Sequence, residues 1–171
     1  RDEQLGGIAA VTGPGRPFVD WLVAECDRLG VTVQLGTDGT ALANGPHVVQ
    51  ATGGRPGLRE YEIADGAVVL DVVDVRRGTV SLPDSGAIAL FDPIGGPIAV
   101  ALAEELGERA VLITQDNIAG NELSRSGDLA PANVRLAQRN VRIEKRTLLR
   151  TVRPGAIDVQ DRFNGERRTI D

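Results

Sequence analysis

The sequence predicts an α/β fold, and three observations support this prediction. Apolar residues make up 42% of the 171 residues and aromatic residues only 3%, so the core consists mainly of Val, Leu, Ile and Ala, as in a sheet covered by helices. Between residues 87 and 114, a strand, a glycine-bearing turn, a helix and a second strand follow one another. From residue 141 onward, apolar and polar residues alternate between turns, which is typical of strands.

The first predicted helix covers residues 16–30, "RPFVDWLVAECDRLG". Its apolar residues recur at helical spacing and form one stripe, which we expect to be buried: Phe18, Leu22, Cys26 and Leu29. Gly30 stands where a left-handed C-terminal cap belongs. Because Cys26 lies on the stripe, we expect an inert thiol of the core.

Two strands and a domain boundary are predicted after this helix. "VTVQL" (31–35) alternates apolar and polar residues, and "HVVQATGG" (47–54) is a compact apolar run that ends in glycines. The turn-rich "GRPGLRE" (54–60) follows, so we expect two domains, residues 1–57 and 58–171. Residues 66–78, "GAVVLDVVDVRRG", are rich in β-formers but have no clear period.

The second predicted domain contains a β-α-β unit and a further helix. The unit consists of strand "AIALF" (87–91), turn 92–96, helix 97–107 and strand "AVLIT" (110–114), which requires a right-handed crossover and a parallel pair. In "LAPANVRLAQRN" (129–140), Pro131 suits a first helical turn and Asn140 suits the end of a helix.

The chain ends in a predicted β-meander. Its four strands are "VRIEK" (141–145), "TLLRTV" (147–152), "AIDVQDRF" (156–163) and "RRTI" (167–170). Pro154-Gly155 marks one turn, and Asn164-Gly165 predicts a two-residue hairpin. The whole prediction is a Rossmann-like, three-layer fold around a parallel sheet, with the meander added.

The charges are unevenly distributed along the chain. Residues 1–124 carry 8 basic and 18 acidic groups, whereas residues 125–171 carry 11 basic and 6 acidic groups. A basic segment suits phosphate, RNA or an acidic neighbour, yet its arginines alternate with Val, Ile and Leu as on the solvated face of strands. The few aromatic residues, three Phe, one Tyr and one Trp, also disfavour stacking on RNA bases. We expect no nucleic-acid partner.

Other groups that would indicate catalysis, metal binding or export are sparse. One cysteine and one histidine, His47 beside Pro46, provide no metal-ligand motif, and His47 suits a surface or capping role. A single cysteine and the lack of a signal peptide or membrane span favour a cytoplasmic protein without a membrane partner. The chain contains no Met and starts with "RDEQ", so we expect a piece of a longer polypeptide.

The turn at residues 92–96 is the main candidate site. A strand, a glycine turn and a helix start can hold an anion, because backbone N–H groups and the helix dipole point at it, and Gly95 and Gly96 permit close approach. Asp92 and Pro97 argue against a pyrophosphate site, one by its charge and the other by its missing N–H group. Asp92 must therefore point away, cap an amide or abolish binding, and the turn is either a nucleotide site or a weakened or degenerate one.

Three further segments contain residues that could contact a ligand. "LGG" (5–7) and "ATGG" (51–54) form a second pair of glycine turns. The loop "NELSRSGD" (121–128) contains Ser124, Arg125 and Asp128, which suit either a phosphate contact or, as we favour, helix capping. After the strand that ends at Thr114, Gln115 and Asp116 provide no arginine for a 2′-phosphate, so NADPH is the least favoured ligand.

These motifs, in this order, resemble a family of flavoproteins. The matching stretches are "RDEQLGG", "WLVAECDRLGVTVQLG", "VVQATGGRPG", "DPIGGPIAVALAEEL" and "SRSGDLAPANVRLAQRNVRIEK". They resemble the C-terminal half of the old yellow enzyme type 2,4-dienoyl-CoA reductases and of trimethylamine and histamine dehydrogenases, and in particular mycofactocin-system oxidoreductases. The glycine form "DPIGGP" is closer to the trimethylamine dehydrogenase side of this family.

The resemblance implies a fragment of a flavoprotein with two dinucleotide-binding domains, which would not be catalytic alone. Residues 1–57 would be the later part of an FAD- or ADP-binding fold whose first glycine motif precedes Arg1, and residues 58–171 an inserted NAD(P)H-like domain. The implied partners are a nucleotide cofactor, FAD or ADP with NAD(H) as a further candidate, and the remaining domains of the parent, which would carry FMN and an iron–sulfur cluster. By position, the residues bordering the nucleotides would be Leu5, Gly6, Gly7, Thr52, Gly53, Gly95, Gly96 and Ile98.

Overall fold

A computed structural model describes residues 4–12, 15–40, 45, 47–51, 53 and 57–171. The chain divides into two compact units, Arg1–Leu58 and Arg59–Asp171, and each is described by itself. The boundary expected from the sequence was residue 57.

The first unit contains a short 3-10 helix, Gly7–Val11, followed by α1, Gly15–Arg28. Gly30 has φ 70° and the amide of Val31 donates to the carbonyl of Cys26 at 2.9 Å, so the predicted glycine end of the helix is confirmed. Val19 is the one buried residue of α1. It packs against Gly6, where an added Cβ would approach Val19 Cγ1 to 2.4 Å.

The predicted buried stripe of α1 is wrong. Phe18 is 59% exposed, Leu22 is 40% exposed and Leu29 is 66% exposed, while Cys26 is only half-buried. Phe18 stacks on Trp21, which is itself 57% exposed, with ring centroids 6.0 Å apart. The reason is that helical periodicity identifies an apolar face but does not supply the surface that covers it.

The two strands predicted for the first unit are also absent from the part of it that the structure describes. Residues 31–35 lie entirely within that part and form no strand, nor do residues 47–51 and 53 of the second segment. Thr52 and Gly54 lie outside the described residues. A strand requires hydrogen bonds to a neighbouring strand, and alternation of apolar residues cannot provide that neighbour.

The second unit is a mixed α/β structure, and all of its residues are described. Its helices are α2 Val72–Arg77, α3 Pro97–Leu106 and α4 Leu129–Gln138, with short 3-10 turns at Gly107–Arg109 and Asn121–Ser126. Its strands are β1 Glu62–Ile63, β2 Ile88–Asp92, β3 Ala110–Thr114, β4 Arg142–Glu144, β5 Thr147–Arg153, β6 Ala156–Asp161 and β7 Arg167–Ile170. The predicted α/β class is confirmed for this unit.

Strands β2, β3 and β4 form a parallel sheet in that order, with α3 and α4 in the crossovers. The predicted β-α-β unit is therefore confirmed, with its helix one residue shorter at the C-terminal end. Asp92 at the end of β2 lies in register with Thr114 at the end of β3. All five residues of β3 are buried, as expected for the central strand of a parallel sheet.

The second sheet has the order β1-β5-β6-β7, with β1 parallel to β5 and the other pairs antiparallel. The assignment of "VRIEK" to the meander is wrong, because β4 pairs with β3 in the parallel sheet. The two-residue hairpin predicted at Asn164-Gly165 is also wrong. Five residues separate β6 from β7, because the Asp161 carboxylate accepts hydrogen bonds from the amides of Phe163 and Asn164 and holds a wider loop.

The stretch of unclear period contains a helix. Asp71 caps the start of α2 by accepting the amide of Val73 at 2.7 Å, and Gly78 closes the helix with φ 73°. These two local signals outweigh the β-rich composition, which is the weaker determinant in a short segment.

The parallel sheet has a different cover on each face. Ala110 and Leu112 of β3 belong to the core shared with the helices, whereas Val111 and Ile113 pack against the second sheet. This alternation follows from the two-residue period of a strand. The unit therefore consists of a helical layer, the parallel sheet and the second sheet, and the carboxyl ends of β2 and β3 form one common edge.

Candidate functional site

The turn between β2 and α3 lies at the carboxyl edge of the parallel sheet, the place where open α/β sheets usually bind ligands. Asp92 ends β2, Gly96 is the N-cap of α3, and Pro97 occupies the first helical turn. Gly96 has no side chain to cap the first helical amides, so backbone N–H groups and the helix dipole meet at this turn. In an ordinary nucleotide site these donors would face phosphate.

The carboxylate of Asp92 occupies the place of such an anion. Its Oδ1 atom accepts hydrogen bonds from the backbone amides of Gly95 at 2.8 Å, Ile94 at 3.2 Å and Gly96 at 3.4 Å. Of the outcomes considered from the sequence, the structure shows the one in which Asp92 caps amides of its own turn. The donors that would cradle a phosphate are engaged by the chain itself.

Asp92 is buried and only partly satisfied. The residue is 5% exposed, and its Oδ2 atom has no hydrogen-bond partner in the described structure. Burial raises the pKa of the Asp92 carboxyl, the amides of Gly95, Gly96 and Ile94 oppose this rise, and the nearby Asp116 carboxylate adds to it. The negative form of Asp92 is therefore held by three amides and opposed by its environment.

Gly95 is required by the packing of the turn. It has φ 74°, and a Cβ there would lie 2.9 Å from the backbone nitrogen of Asn121 and 3.3 Å from Asp116 Oδ2. Its carbonyl accepts the amide of Glu122 at 2.9 Å. Gly96 differs, because an added Cβ would meet only Ile94 Cγ2, at 3.9 Å. Close internal packing, rather than room for a ligand, accounts for the first glycine of the pair.

An incoming phosphate would meet the Asp92 charge directly. Two like charges about 4 Å apart repel by about 4 kcal/mol at an effective dielectric near 20, which exceeds the net gain of several ordinary hydrogen bonds. Ile98, the third residue predicted for this site, is half-buried in the first turn of α3. The closed turn therefore disfavours an anion while Asp92 is ionised.

Two arginines from later in the chain lie beside this edge. Arg162 donates from Nη1 to the carbonyl of Gln115 at 3.2 Å and lies 3.8 Å from Asp116 Oδ1, while the Gln115 side chain donates to the carbonyl of Pro93 at 2.7 Å. The amide of Arg146 donates to the carbonyl of Asp116 at 3.0 Å. The sequence interpretation of this edge missed both arginines, because they lie 30 and 46 positions after Asp116 and no local signal joins them to it.

The loop 121–128 does not reach the glycine turn through its charged side chains. Arg125 is exposed and pairs with Glu122 at 2.9 Å. Asp128 occupies the N-cap position of α4, yet its carboxylate pairs with Arg135 at 2.8 Å and accepts no amide of the helix. The favoured capping role is therefore wrong for the Asp128 side chain, because a guanidinium competes successfully for it. Ser124 is exposed.

The residues predicted to border a first nucleotide lie in the first unit. Leu5 and Gly6 lie in the turn before the 3-10 helix, with φ 96° at Gly6, and Gly7 is the first residue of that helix, with φ 51°. Gly53 has φ 71° and open space around its Cβ position, and Thr52 lies outside the described residues. No hydrogen bond between described atoms joins Gly53 to the turn at Leu5–Gly7.

The described ranges contain no group of three or more His, Cys, Asp or Glu side chains placed to hold a metal ion, and none of their helices is long and apolar enough to cross a membrane. His47, the single histidine of the sequence, is exposed.

The structure was compared with known proteins. No protein-family model and no curated protein sequence matches the chain, whereas several solved structures do. Histamine dehydrogenase from Rhizobium sp. 4-9 matches 99% of this chain with TM-score 0.72 and 16% identity, and 2-naphthoyl-CoA reductase matches 99% with TM-score 0.77 and 21% identity. The 6-hydroxypseudooxynicotine amine oxidase from Pseudomonas geniculata N1 matches 66% with TM-score 0.53 and 14% identity.

These similarities show a shared fold alone, because all three identities are below 25%. All three matched proteins are oxidoreductases by name. The chain spans 29% of the histamine dehydrogenase, 27% of the reductase and 16% of the amine oxidase. It therefore corresponds to a minor part of each of these larger enzymes.

Proposed function

We propose that this chain is the nucleotide-binding part of a flavin-dependent oxidoreductase of the 2,4-dienoyl-CoA reductase or amine dehydrogenase type, and that it has no catalytic activity of its own. The fold shared with histamine dehydrogenase and 2-naphthoyl-CoA reductase over 99% of the chain supports this proposal. The ordered sequence motifs point to the same family independently of the fold. In this proposal the flavin barrel, with FMN and the iron–sulfur cluster, belongs to the rest of the parent enzyme.

The first unit would border FAD or ADP. Gly6 is the N-cap of the 3-10 helix that begins at Gly7, and both glycines would border the nucleotide by their position in the family motif. Leu5, Thr52 and Gly53 complete the proposed border by position in the family motif. Packing supports the glycine at position 6, because any Cβ there would collide with Val19.

The second unit would keep a Rossmann-like form without binding a dinucleotide at its glycine turn. One observation carries this part of the proposal: Asp92 Oδ1 accepts the Gly95 amide at 2.8 Å. The turn then needs no pyrophosphate to hold its shape, and NAD(H) is disfavoured at Gly95, Gly96 and Ile98 while Asp92 is ionised. The unit would serve as a structural or docking domain of the parent enzyme.

The remaining domains of the parent are the proposed protein partners. The exposed apolar side chains of α1, including Phe18, Trp21 and Leu22, support a contact with another part of that enzyme. The mixed charges around the arginines of β5 to β7 provide no comparable support for a nucleic-acid partner, since Arg153 pairs with Asp158 at 2.5 Å and Arg168 pairs with Glu144.

A titration followed by amide NMR tests the proposal. ADP added at millimolar concentration and neutral pH should shift the amides of Gly6, Gly7 and Gly53, and NADH should leave Gly95 and Gly96 unshifted. Adenosine, which lacks phosphate, is the matched control and should give weaker shifts in the first unit. The absence of ADP shifts in the first unit would overturn its nucleotide role, and NADH shifts at Gly95 and Gly96 would overturn the closed turn.

A further inference from the structure

We propose that the start of α3 is a phosphate site that the chain itself keeps closed. The Asp92 carboxylate, called the latch below, occupies the ligand's place. The site binds inorganic phosphate or a phosphate monoester when that carboxylate is neutralised or removed. The inference deepens the proposed function, because it rests on the closed turn of the second unit.

The donors of the site are already arranged for an oxyanion. The amides of Ile94, Gly95 and Gly96 converge on a single oxygen atom, and they lie at the N-terminal end of a helix of 10 residues. Three amides converging at a helix start are the arrangement with which proteins bind phosphate. The backbone of the turn therefore provides the hydrogen-bond donors of a phosphate site, and the Asp92 carboxylate takes the place of the phosphate.

The Asp92 side chain fits this place imperfectly. One oxygen takes all three amides, while Oδ2 is buried with no partner in the described structure. A buried carboxylate oxygen without a hydrogen bond costs free energy. A phosphate would present several oxygens to the same donors and could keep others in solvent. The closed turn is therefore stabilised by three amide hydrogen bonds to Oδ1 of Asp92 and destabilised by its unpaired Oδ2.

The charged groups around the latch make it sensitive to protonation. From the end of β3, the Asp116 carboxylate faces Asp92 and repels its negative form. From the loop after β6, Arg162 lies 3.8 Å from Asp116 Oδ1 and offsets part of that repulsion. From the 3-10 turn at Asn121–Ser126, the contact is the amide of Glu122 on the carbonyl of Gly95. Among the described groups, the dipole of α3 favours the ionised form of Asp92.

Protonation of Asp92 removes the charge that repels an incoming anion. Burial raises the pKa of Asp92 above its ordinary value, so this proton is taken up at higher pH than by an exposed aspartate. Anion binding at the turn should therefore strengthen as the pH falls through that pKa. Sulfate is the appropriate probe, since its own charge stays constant from neutral to mildly acidic pH, whereas phosphate changes its charge.

The test is a sulfate titration of the whole chain, followed at the amides of Gly95 and Gly96. Wild type should bind weakly at neutral pH and at least about tenfold more tightly once the pH has fallen below the raised pKa of Asp92, a change worth about 1.4 kcal/mol. Asp92→Ala should bind at neutral pH about as well as the acidified wild type, with little further pH dependence. Asp92→Asn, which is neutral but still accepts amides, should lie between the two.

A matched control separates Asp92 from the general charge of the edge. Asp116→Asn removes the neighbouring carboxylate and leaves the latch in place, so it should keep the pH dependence of sulfate binding. Inorganic phosphate at neutral pH should reproduce the difference between Asp92→Ala and wild type. The proposal is overturned if a folded Asp92→Ala chain shows no sulfate shifts at Gly95 and Gly96, or if Asp116→Asn abolishes the pH dependence.

Each outcome also distinguishes this inference from the proposed function. If Asp92→Ala fails to fold, the sulfate-induced amide shifts of Gly95 and Gly96 in the pH series of wild type and in the Asp92→Asn variant test the latch instead. ADP binding at Gly6 and Gly7 without any sulfate response at the turn overturns the latch alone. A sulfate response at the turn without ADP binding in the first unit supports the latch and overturns the nucleotide role of that unit.

Discussion

Asp92 and Gly95 are joined by a 2.8 Å hydrogen bond from the Gly95 amide to the Asp92 carboxylate, within a turn of the type that usually presents its amides to a ligand. The bond explains how a glycine turn can keep its shape while its donors are engaged. It also places a buried carboxyl in the middle of the candidate site, so both stability and binding should depend on its proton.

The stability of the second unit should depend on the Asp92 proton. The pKa of Asp92 in the folded chain is raised above its ordinary value of 3.8, mainly by burial, so the folded state binds this proton more tightly than the unfolded state. The contribution of this group to the free energy of unfolding is therefore largest at low pH and falls as the pH rises through the raised pKa. Asp92→Asn should remove this slope, as measured by urea unfolding across a pH series. Asp84→Asn, at an exposed carboxylate, should leave the slope unchanged.

The two glycines of the turn should respond differently to alanine. Gly95→Ala should lower the free energy of unfolding by about 2–4 kcal/mol, because its φ of 74° is unfavourable for alanine and the new Cβ would lie 2.9 Å from a backbone nitrogen. Gly96→Ala is the control and should cost less than about 1 kcal/mol, because Gly96 has φ −95° and space around its Cβ position. Equal losses in urea unfolding would contradict the packing role assigned to Gly95.

Helix α4 provides a matched test of the core of the second unit. Leu136 is fully buried among helix and sheet residues, so Leu136→Ala should cost about 2–5 kcal/mol. Val134 on the same helix is 55% exposed, and Val134→Ala should change stability by no more than about 0.5 kcal/mol. Hydrogen exchange at the amides of β3, which reports on this unit directly, measures both effects. A small loss for Leu136→Ala would be inconsistent with the described core.

The exposed face of α1 can be tested through the single tryptophan, Trp21. Phe18 is 59% exposed, so Phe18→Ser should leave the unfolding transition of the first unit within about 0.5 kcal/mol of wild type. Val19 is 6% exposed and packs on Gly6, so Val19→Ala should cost about 1–3 kcal/mol. Trp21 fluorescence during urea unfolding reports both. A larger loss for Phe18→Ser than for Val19→Ala would mean that the apolar stripe is covered within the chain.

Several elements of the second unit could be predicted because their signals are local. The apolar run "AVLIT", the glycines of the turn and Pro97 in the first helical turn lie within 28 residues, and together they specify the β-α-β unit. The glycine end of α1 is equally local. The two strands expected in the first unit depended on pairing partners, and the hairpin at Asn164-Gly165 depended on an aspartate three residues earlier that reshaped the loop.

The candidate site shows the same contrast between features set by neighbouring residues and features set by packing. The sequence by itself determined that a strand, a double glycine and a helix start meet at residues 92–97, because these are properties of neighbouring residues. The sequence left several outcomes open for Asp92, and only the tertiary structure decided that its carboxylate is buried against the amides of Ile94, Gly95 and Gly96, and that Arg146 and Arg162 join the same edge. The physical reason is that a side chain's orientation, burial and long-range neighbours follow from packing between segments, which no local pattern contains.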